Sequence, residues 1–195
     1  MDRLTGLRAP DTDAGPPGRE PRFVVAPGMS LKAIFGASEM ALREPAFGEV
    51  RYLQPDGPHV WVLRVGERDI EIGPSRFTTV EIVGDRAVRV RSTFGLGYAP
   101  VTAAAAQVTV VLGRLREAGF LEADVVPPGE IEERVPVEGE VRTCRLRAGE
   151  WMGEMRVTRM IEAKSEAGKI LGLTEDACLA NMTLWDMKGA AAMIG

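Results

Sequence analysis

Residues 47–92 read FGEVRYLQPDGPHVWVLRVGERDIEIGPSRFTTVEIVGDRAVRVRS. Runs rich in Val, Ile, Leu and aromatic residues alternate with polar residues, and turns containing Gly or Pro separate the runs. This pattern is typical of antiparallel strands that have one apolar face and one polar face. Because a shift of one residue would move every apolar side chain to the wrong face, the pattern also predicts the register of pairing.

The first two turns predict two hairpins. The sequence PDGP at 55–58 is expected to close a hairpin that sets Tyr52 against Trp61. The dipeptide at 66–67 has Gly at its first position, which is typical of a two-residue type II′ turn. This second hairpin predicts the pairs Leu63 with Ile70 and Trp61 with Ile72.

A third turn completes the predicted meander. Residues 84–86, GDR, form a candidate three-residue loop between two apolar runs. The loop predicts the cross-strand pairs Val80 with Val90, Ile82 with Val88, Glu81 with Arg89 and Thr79 with Arg91. The segment therefore predicts a five-strand antiparallel sheet with opposed charges on its polar face.

Three helices are predicted around these strands. Residues 100–118 carry an apolar stripe at helical spacing and end before Gly119, a residue typical of helix C-termini. Residues 30–43 begin with a serine suited to cap a helix. Residues 174–194 begin with a threonine followed by two acidic residues, which the helix dipole favours in the first turn.

Together these elements predict an α+β fold. We expect a five-strand antiparallel meander covered on one face by the helix over 100–118, and a smaller C-terminal lobe made of a hairpin and a helix. The second strand of that hairpin, 151–161, has a helix as its alternative. The expected domains are a flexible tail over 1–20, an α+β sheet-and-helix domain over 21–121, an acidic connector over 122–140, and the C-terminal hairpin and helix over 141–195.

The composition limits the possible functions. The formal net charge is −4, which argues against a protein that wraps nucleic acid, because phosphate binding needs clustered Lys and Arg. The N-terminus lacks the apolar region of a secretory signal, and no apolar run reaches the length of a membrane span. We therefore expect a cytoplasmic protein without a membrane partner.

The chain contains little recognisable catalytic chemistry. Its single histidine, His59, is expected to be exposed at a turn, and we predict no catalytic residue, metal ligand or cofactor. Gly95, Gly97 and Tyr98 lie between a strand and the start of a helix, where backbone N–H groups can bind an anion. Pro100 stands where a dinucleotide-binding motif needs its third glycine, so a bare turn is the alternative.

The predicted function is therefore a non-enzymatic protein-binding module of the inhibitor, toxin-neutralising, chaperone or adaptor type. The expected interface is the C-terminal helix, which would bind another protein or a second copy of the chain. Its anchors would be Met182, Trp185 and Met187, because aromatic and Met side chains are enriched in interface cores.

Two alternatives remain open. The first is an enzyme or small-ligand-binding protein with a pocket between the two lobes, near Gly95 and Gly97. The second is nucleic-acid binding through the arginines of the hairpin between Arg142 and Arg159, with Trp151 stacking on a base. Against the second, the same arginines lie close in sequence to the acidic residues of 122–140, which can neutralise them.

Overall fold

The computed structural model describes residues 20–47, 50–94, 99–123 and 140–188. The elements within these ranges are β1 (Arg22–Val24), α1 (Leu31–Ala37), β2 (Leu42–Arg43), β3 (Ala46–Phe47), β4 (Val50–Pro55), β5 (His59–Val65), β6 (Arg68–Val83), β7 (Arg86–Phe94), β8 (Ala99–Pro100), α2 (Val101–Glu117), β9 (Leu121–Glu122), β10 (Glu140–Ala148), β11 (Trp151–Ile161), α3 (Glu166–Ile170) and β12 (Ala177–Asp186).

Sheet structure dominates the described residues. Eleven strands form one large mixed sheet whose main path runs β1-β5-β6-β7-β12-β11-β10-β9, and the short strand β2 pairs with β4 beside it. Strands β1 and β5 are parallel, and the other neighbours along the path are antiparallel. The prediction of a five-strand meander with a separate C-terminal lobe is therefore wrong. The C-terminal hairpin continues the same sheet, because β12 pairs with both β7 and β11.

The local hairpins agree with the sequence pattern at several cross-strand pairs. Leu63 faces Ile70 in the hairpin of β5 and β6, while Val80 faces Val90 and Glu81 faces Arg89 between β6 and β7. β-bulges shift the register at positions away from the turn of β5 and β6, and next to the turn of β6 and β7, where the loop has two residues instead of the predicted three. Trp61 faces Gly73 rather than Ile72, and Ile82 faces Ala87 rather than Val88. An extra residue in one strand produces this kind of shift.

The predicted pairing of β4 with β5 is wrong. Strand β6 is 16 residues long, so its first half pairs with β5 and its second half pairs with β4. A hairpin across residues 55–58 would have been closed by Pro55 and Pro58. Neither proline has an N–H group to donate, so such a pair cannot form the usual ladder hydrogen bonds.

Helix α2 matches its prediction. Its C-terminus has Gly119 at φ +92°, and the N–H group of Phe120 donates to the Leu115 carbonyl at 2.9 Å. This is the hydrogen bond of a Schellman termination. Helix α1 is shorter than predicted, although Ser30 caps it by accepting from the Ala33 N–H group at 3.3 Å.

The predicted C-terminal helix is wrong, because residues 177–186 form the central strand β12. A short helix, α3, occurs earlier, where Ser165 accepts a hydrogen bond from the Gly168 N–H group at 3.0 Å. Strand β11 confirms the strand predicted for residues 151–161 and contradicts the alternative helix.

The hydrophobic core lies between α2 and one face of the sheet. Val108, Val111, Leu112 and Leu115 of α2 are buried there, and full burial of such a side chain contributes about 1.5–3 kcal/mol. In the same core Trp61 stacks on Phe94 with ring centroids 6.0 Å apart. The helix therefore covers one face of the sheet, as predicted, although the sheet is larger.

Candidate functional site

The second face of the sheet carries polar side chains. Along β12, Ala180, Met182 and Leu184 are buried in the core beneath α2. Because successive residues of a strand point to opposite faces, Asn181, Thr183 and Trp185 lie on the side away from α2. We call this side the polar face.

Two cross-strand rows define the centre of the polar face. Residues that oppose one another in register share a face, so each row can be followed from strand to strand. The first row is Thr79 on β6, Arg91 on β7, Thr183 on β12, Glu154 on β11 and Arg145 on β10. The second row is Phe77 on β6, Thr93 on β7, Asn181 on β12, Arg156 on β11 and Thr143 on β10.

Most charged groups of this face are paired. The Glu154 carboxylate accepts hydrogen bonds from Arg145 Nε at 3.3 Å and from Arg156 Nη2 at 2.6 Å, and its side chain is only 6% exposed. Arg89 donates to the Glu81 carboxylate in the neighbouring row. These bonds fix the orientation of the guanidinium groups, because charge-assisted hydrogen bonds are among the stronger interactions in proteins.

Arg91 differs from these neighbours. Its side chain is exposed, and among the described residues it forms no ion pair. The reason is visible in the register, since both of its cross-strand neighbours, Thr79 and Thr183, are uncharged. The guanidinium of Arg91 therefore keeps its hydrogen-bond donors available at the centre of the sheet.

A groove of about 350 Å³ lies beside Arg91. Its lining consists of two arginines, one glutamate, three hydrogen-bonding side chains of Thr or Asn, and one tryptophan: Arg91, Arg156, Glu154, Thr158, Asn181, Thr183 and Trp185. We call it the arginine groove. Its charged lining residues sum to a formal charge of +1, from two arginines less one glutamate, which favours an anionic ligand.

A second groove, of about 360 Å³, adjoins Phe77. It lies where β4 and β5 separate along β6, and its lining is Arg43, Gln54, Pro55, Asp56, Gly57, Pro58, Arg76, Phe77, Thr78 and Thr79. We call it the Phe77 groove. Phe77 is 64% exposed, so much of its ring is accessible to a ligand.

His59 is buried, so the prediction that it is exposed at a turn is wrong. Its Nδ1 lies 2.9 Å from the Gly57 carbonyl oxygen and its Nε2 lies 2.8 Å from Thr78 Oγ1. Because a carbonyl oxygen only accepts, Nδ1 donates to it, and Nε2 accepts from the Thr78 hydroxyl. Burial lowers the pKa of His59, outweighing the hydrogen bond to Gly57 and the charge of Glu20, which raise it.

The hydroxyl groups around His59 form a closed network. Thr78 Oγ1 lies 3.2 Å from Ser75 Oγ and 3.0 Å from Ser92 Oγ, while Ser92 donates to Ser75 at 2.8 Å. Thr78 is 2% exposed and Ser92 is 0% exposed. The arrangement of histidine and hydroxyl resembles that of an activated nucleophile, but these oxygens are closed to a substrate in this structure.

The predicted anchor residues occupy different environments. Met182 is in the core beneath α2, whereas Trp185, which is only 5% exposed, lines the arginine groove on the opposite face, so the two do not form one surface. Met187 follows the end of β12, where its N–H group donates to the Glu150 carbonyl at 2.9 Å. The ligand-binding candidates Gly95, Gly97 and Tyr98 lie outside the described residues, as do most of the predicted tail and connector.

Three arginines of the predicted nucleic-acid hairpin are held by carboxylates of the sheet and its connections, whereas Arg147 is exposed and donates to the Gly149 carbonyl at 3.1 Å. Arg145 and Arg156 contact Glu154, and Arg159 contacts Glu162 at 3.2 Å. Arg159 also contacts Asp176 at 3.4 Å. Sequence reasoning missed Arg91 as a site residue, although its predicted pairing with Thr79 already placed it opposite an uncharged neighbour.

No protein-family model matches the chain, and no curated protein or solved structure is significantly similar to it. Of the helices in the described ranges, none has the length and apolar character needed to cross a membrane. In the same ranges, no cluster of three or more His, Cys, Asp and Glu side chains has the arrangement of a metal site.

Proposed function

We propose that this chain is a non-enzymatic protein-binding module whose binding surface is the polar face of the sheet. The predicted interface on a C-terminal helix is not retained, because those residues form β12. The observation that carries the proposal is Arg91, an exposed arginine without an ion pair among the described residues, at the centre of a rigid sheet.

Residue types and rigidity both support this surface. Trp and Arg are the residue types most enriched among those that dominate binding energy at protein interfaces, and the arginine groove places Trp185 beside Arg91 and Arg156. Strands β7, β12 and β11, which carry these side chains, are each paired on both sides, so the side chains project from a hydrogen-bonded backbone. A pre-organised surface loses less conformational entropy on binding, which favours affinity.

The paired arginines support a protein partner over nucleic acid. A nucleic-acid surface needs several cations that remain available to phosphates. On the polar face, Arg89, Arg145 and Arg156 each contact a buried carboxylate, whereas Arg91 does not. Arg147, in the same row as Arg89, is exposed and donates to the Gly149 carbonyl at 3.1 Å, so only a few arginines of this face are available to a partner. A surface of mixed charge with few available arginines suits a partner that presents a small number of acidic groups.

The test is retention of proteins from the native extract on immobilised chain, with Arg91→Glu compared with Arg68→Glu. Arg68 is also exposed, but it lies at the hairpin turn of β5 and β6, far from the groove. Arg91→Glu removes a charge-assisted hydrogen bond and adds charge repulsion, so the affinity for a specific partner should fall at least about tenfold. Arg68→Glu should leave that affinity unchanged.

Thermal unfolding of both variants provides the folding control. If each variant unfolds like the parent chain and each retains the same proteins in the same amounts, the polar face is not the binding surface. Equal losses in both variants would also contradict the proposal, because they would reflect net charge rather than position.

A further inference from the structure

The arginine groove and the Phe77 groove belong to one continuous surface. Thr79 lines the Phe77 groove and directly opposes Arg91, which lines the arginine groove. In the next row Phe77 opposes Thr93, whose hydroxyl donates to Asn181 Oδ1 at 2.7 Å. Both grooves therefore open on the polar face and are joined by two rows of short polar side chains.

The two grooves have different chemistry. The Phe77 groove presents an exposed aromatic ring, and the prolines at 55 and 58 form part of its wall. The guanidinium of Arg76 lies 5.8 Å from the centre of the Phe77 ring, which holds that ring beside a cation. The Phe77 groove also contains two arginines and one acidic residue, but Arg43 pairs with Asp56 at 3.2 Å and Arg76 lies over the ring, so the exposed ring fits an apolar side chain. The arginine groove presents Arg91, which has no ion pair among the described residues, and fits a carboxylate.

The strands fix the distance between the two grooves. Phe77 is on β6, and Asn181 and Thr183 are on β12, two strands farther along the sheet. Neighbouring strands lie about 4.8 Å apart, so the apolar and anionic positions are separated by roughly 10 Å, or slightly more at the groove centres. A peptide in an extended conformation covers this distance in about three or four residues, at about 3.1–3.4 Å per residue.

We infer that the polar face binds an extended acidic segment of a partner protein, with an apolar side chain in the Phe77 groove and a carboxylate three or four residues away in the arginine groove. This inference rests on the proposed function and adds the chemistry and spacing of the ligand. The Arg91 and Arg156 backbones are roughly 12 Å apart, judged from strand spacing and rise, so both guanidinium groups can approach one carboxylate from opposite sides. Arg156 donates to Glu154 through Nη2, and a guanidinium has five N–H donors in total.

The experiment uses two synthetic peptides of identical composition. The first is acetyl-Leu-Ser-Gly-Glu-Glu-amide, in which the acidic residues follow the leucine by three and four positions. The second is acetyl-Leu-Glu-Glu-Ser-Gly-amide, in which they follow by one and two. Each is titrated to millimolar concentration into the full chain, and amide NMR shifts are followed in β6, β7 and β12.

The variants test each groove separately. Arg91→Gln should lower the affinity for the first peptide at least about tenfold, while Arg68→Gln should not change that affinity. Phe77→Ser should lower the affinity for the first peptide several fold, because apolar contact is lost. Val110→Ser is the matched control for Phe77→Ser, because Val110 is 60% exposed on the helix that covers the opposite face.

Stronger binding of the first peptide, with shifts around both grooves, is the expected result. Equal binding of the two peptides would overturn the spacing. If neither peptide binds, the inference that the ligand is an acidic segment is wrong. The proposed function would still stand if Arg91→Glu reduces retention of a partner from the extract. Inorganic phosphate that binds at Arg91 more tightly than the first peptide would show a small-anion site and would also overturn the inference.

Discussion

Replacement of His59, which is hydrogen-bonded to the buried hydroxyl network, should reveal how the free energy of unfolding depends on pH. The ordinary pKa of histidine is 6.5, and burial lowers the pKa of His59 in the folded chain. Below about pH 6.5 the unfolded chain therefore binds more protons than the folded chain, so the free energy of unfolding is greatest above this pH and decreases as the pH falls. One proton contributes at most about 1.4 kcal/mol per pH unit.

The expected loss between about pH 7.5 and about pH 5.5 is up to about 1.4 kcal/mol, because half of that interval lies above the unfolded pKa. Urea unfolding across this range measures it. His59→Gln does not titrate there, while its amide can still donate to Gly57 and accept from Thr78. The variant should be less stable by about 1 kcal/mol at the higher pH and should lose most of the pH dependence.

The chain contains one histidine, which makes this comparison clear. Carboxylates begin to titrate only at lower pH, with ordinary pKa values near 4. The same slope in the parent chain and in His59→Gln would refute the reasoning, since the proton uptake would then come from another group. A parent chain whose stability does not change over the interval would refute it as well.

Three further substitutions test the fold. Leu112→Asp places an unpaired carboxylate in the core and should lower the free energy of unfolding by about 5 kcal/mol, enough to unfold the chain. A soluble variant that melts cooperatively would contradict the position of α2. Gly113→Ala should raise the free energy of unfolding by about 0.5–1 kcal/mol, because a Cβ there meets no atom within 4 Å and alanine favours the helix; unchanged stability in urea would count against this. Gly168→Ala should cost about 1–3 kcal/mol and increase amide exchange in α3, because its Cβ would clash with the Glu162 carbonyl oxygen. Normal exchange would show that the loop adapts.

The sequence predicted structure best where contacts are local. The hairpin at residues 66–67 and the pairing of β6 with β7 depend on residues close in the chain, and alternation alone indicates which residues oppose each other. The bulges that shift Trp61 and Ile82 could not be predicted in this way. A bulge depends on how the whole sheet twists and packs, and the residues involved carry no distinctive signal.

Strand β12 shows that local sequence can predict the wrong type of element. Thr174, Glu175 and Asp176 resemble the start of a helix, and local propensity supports that interpretation. In the structure the residues that follow lie between β7 and β11, where Cys178, Ala180, Met182 and Leu184 pack beneath α2. Two neighbouring strands provide backbone hydrogen bonds on both sides of β12, and these bonds outweigh the local helix propensity. The alternation is present in the sequence, but the Leu and Met residues of this segment also fit helical spacing.

The candidate site could not be predicted because it depends on a pairing between distant parts of the chain. The predicted meander already set Arg89 opposite an acidic residue and Arg91 opposite Thr79, so half of the environment of Arg91 was available from the sequence. The other half comes from β12, and the Thr93–Asn181 hydrogen bond that ties the strands together spans 88 residues of sequence. Had the residue at 183 been acidic, Arg91 would have an internal partner and the groove would lack its available cation. The binding chemistry of the polar face is therefore a property of the assembled sheet, and no motif of adjacent residues encodes it.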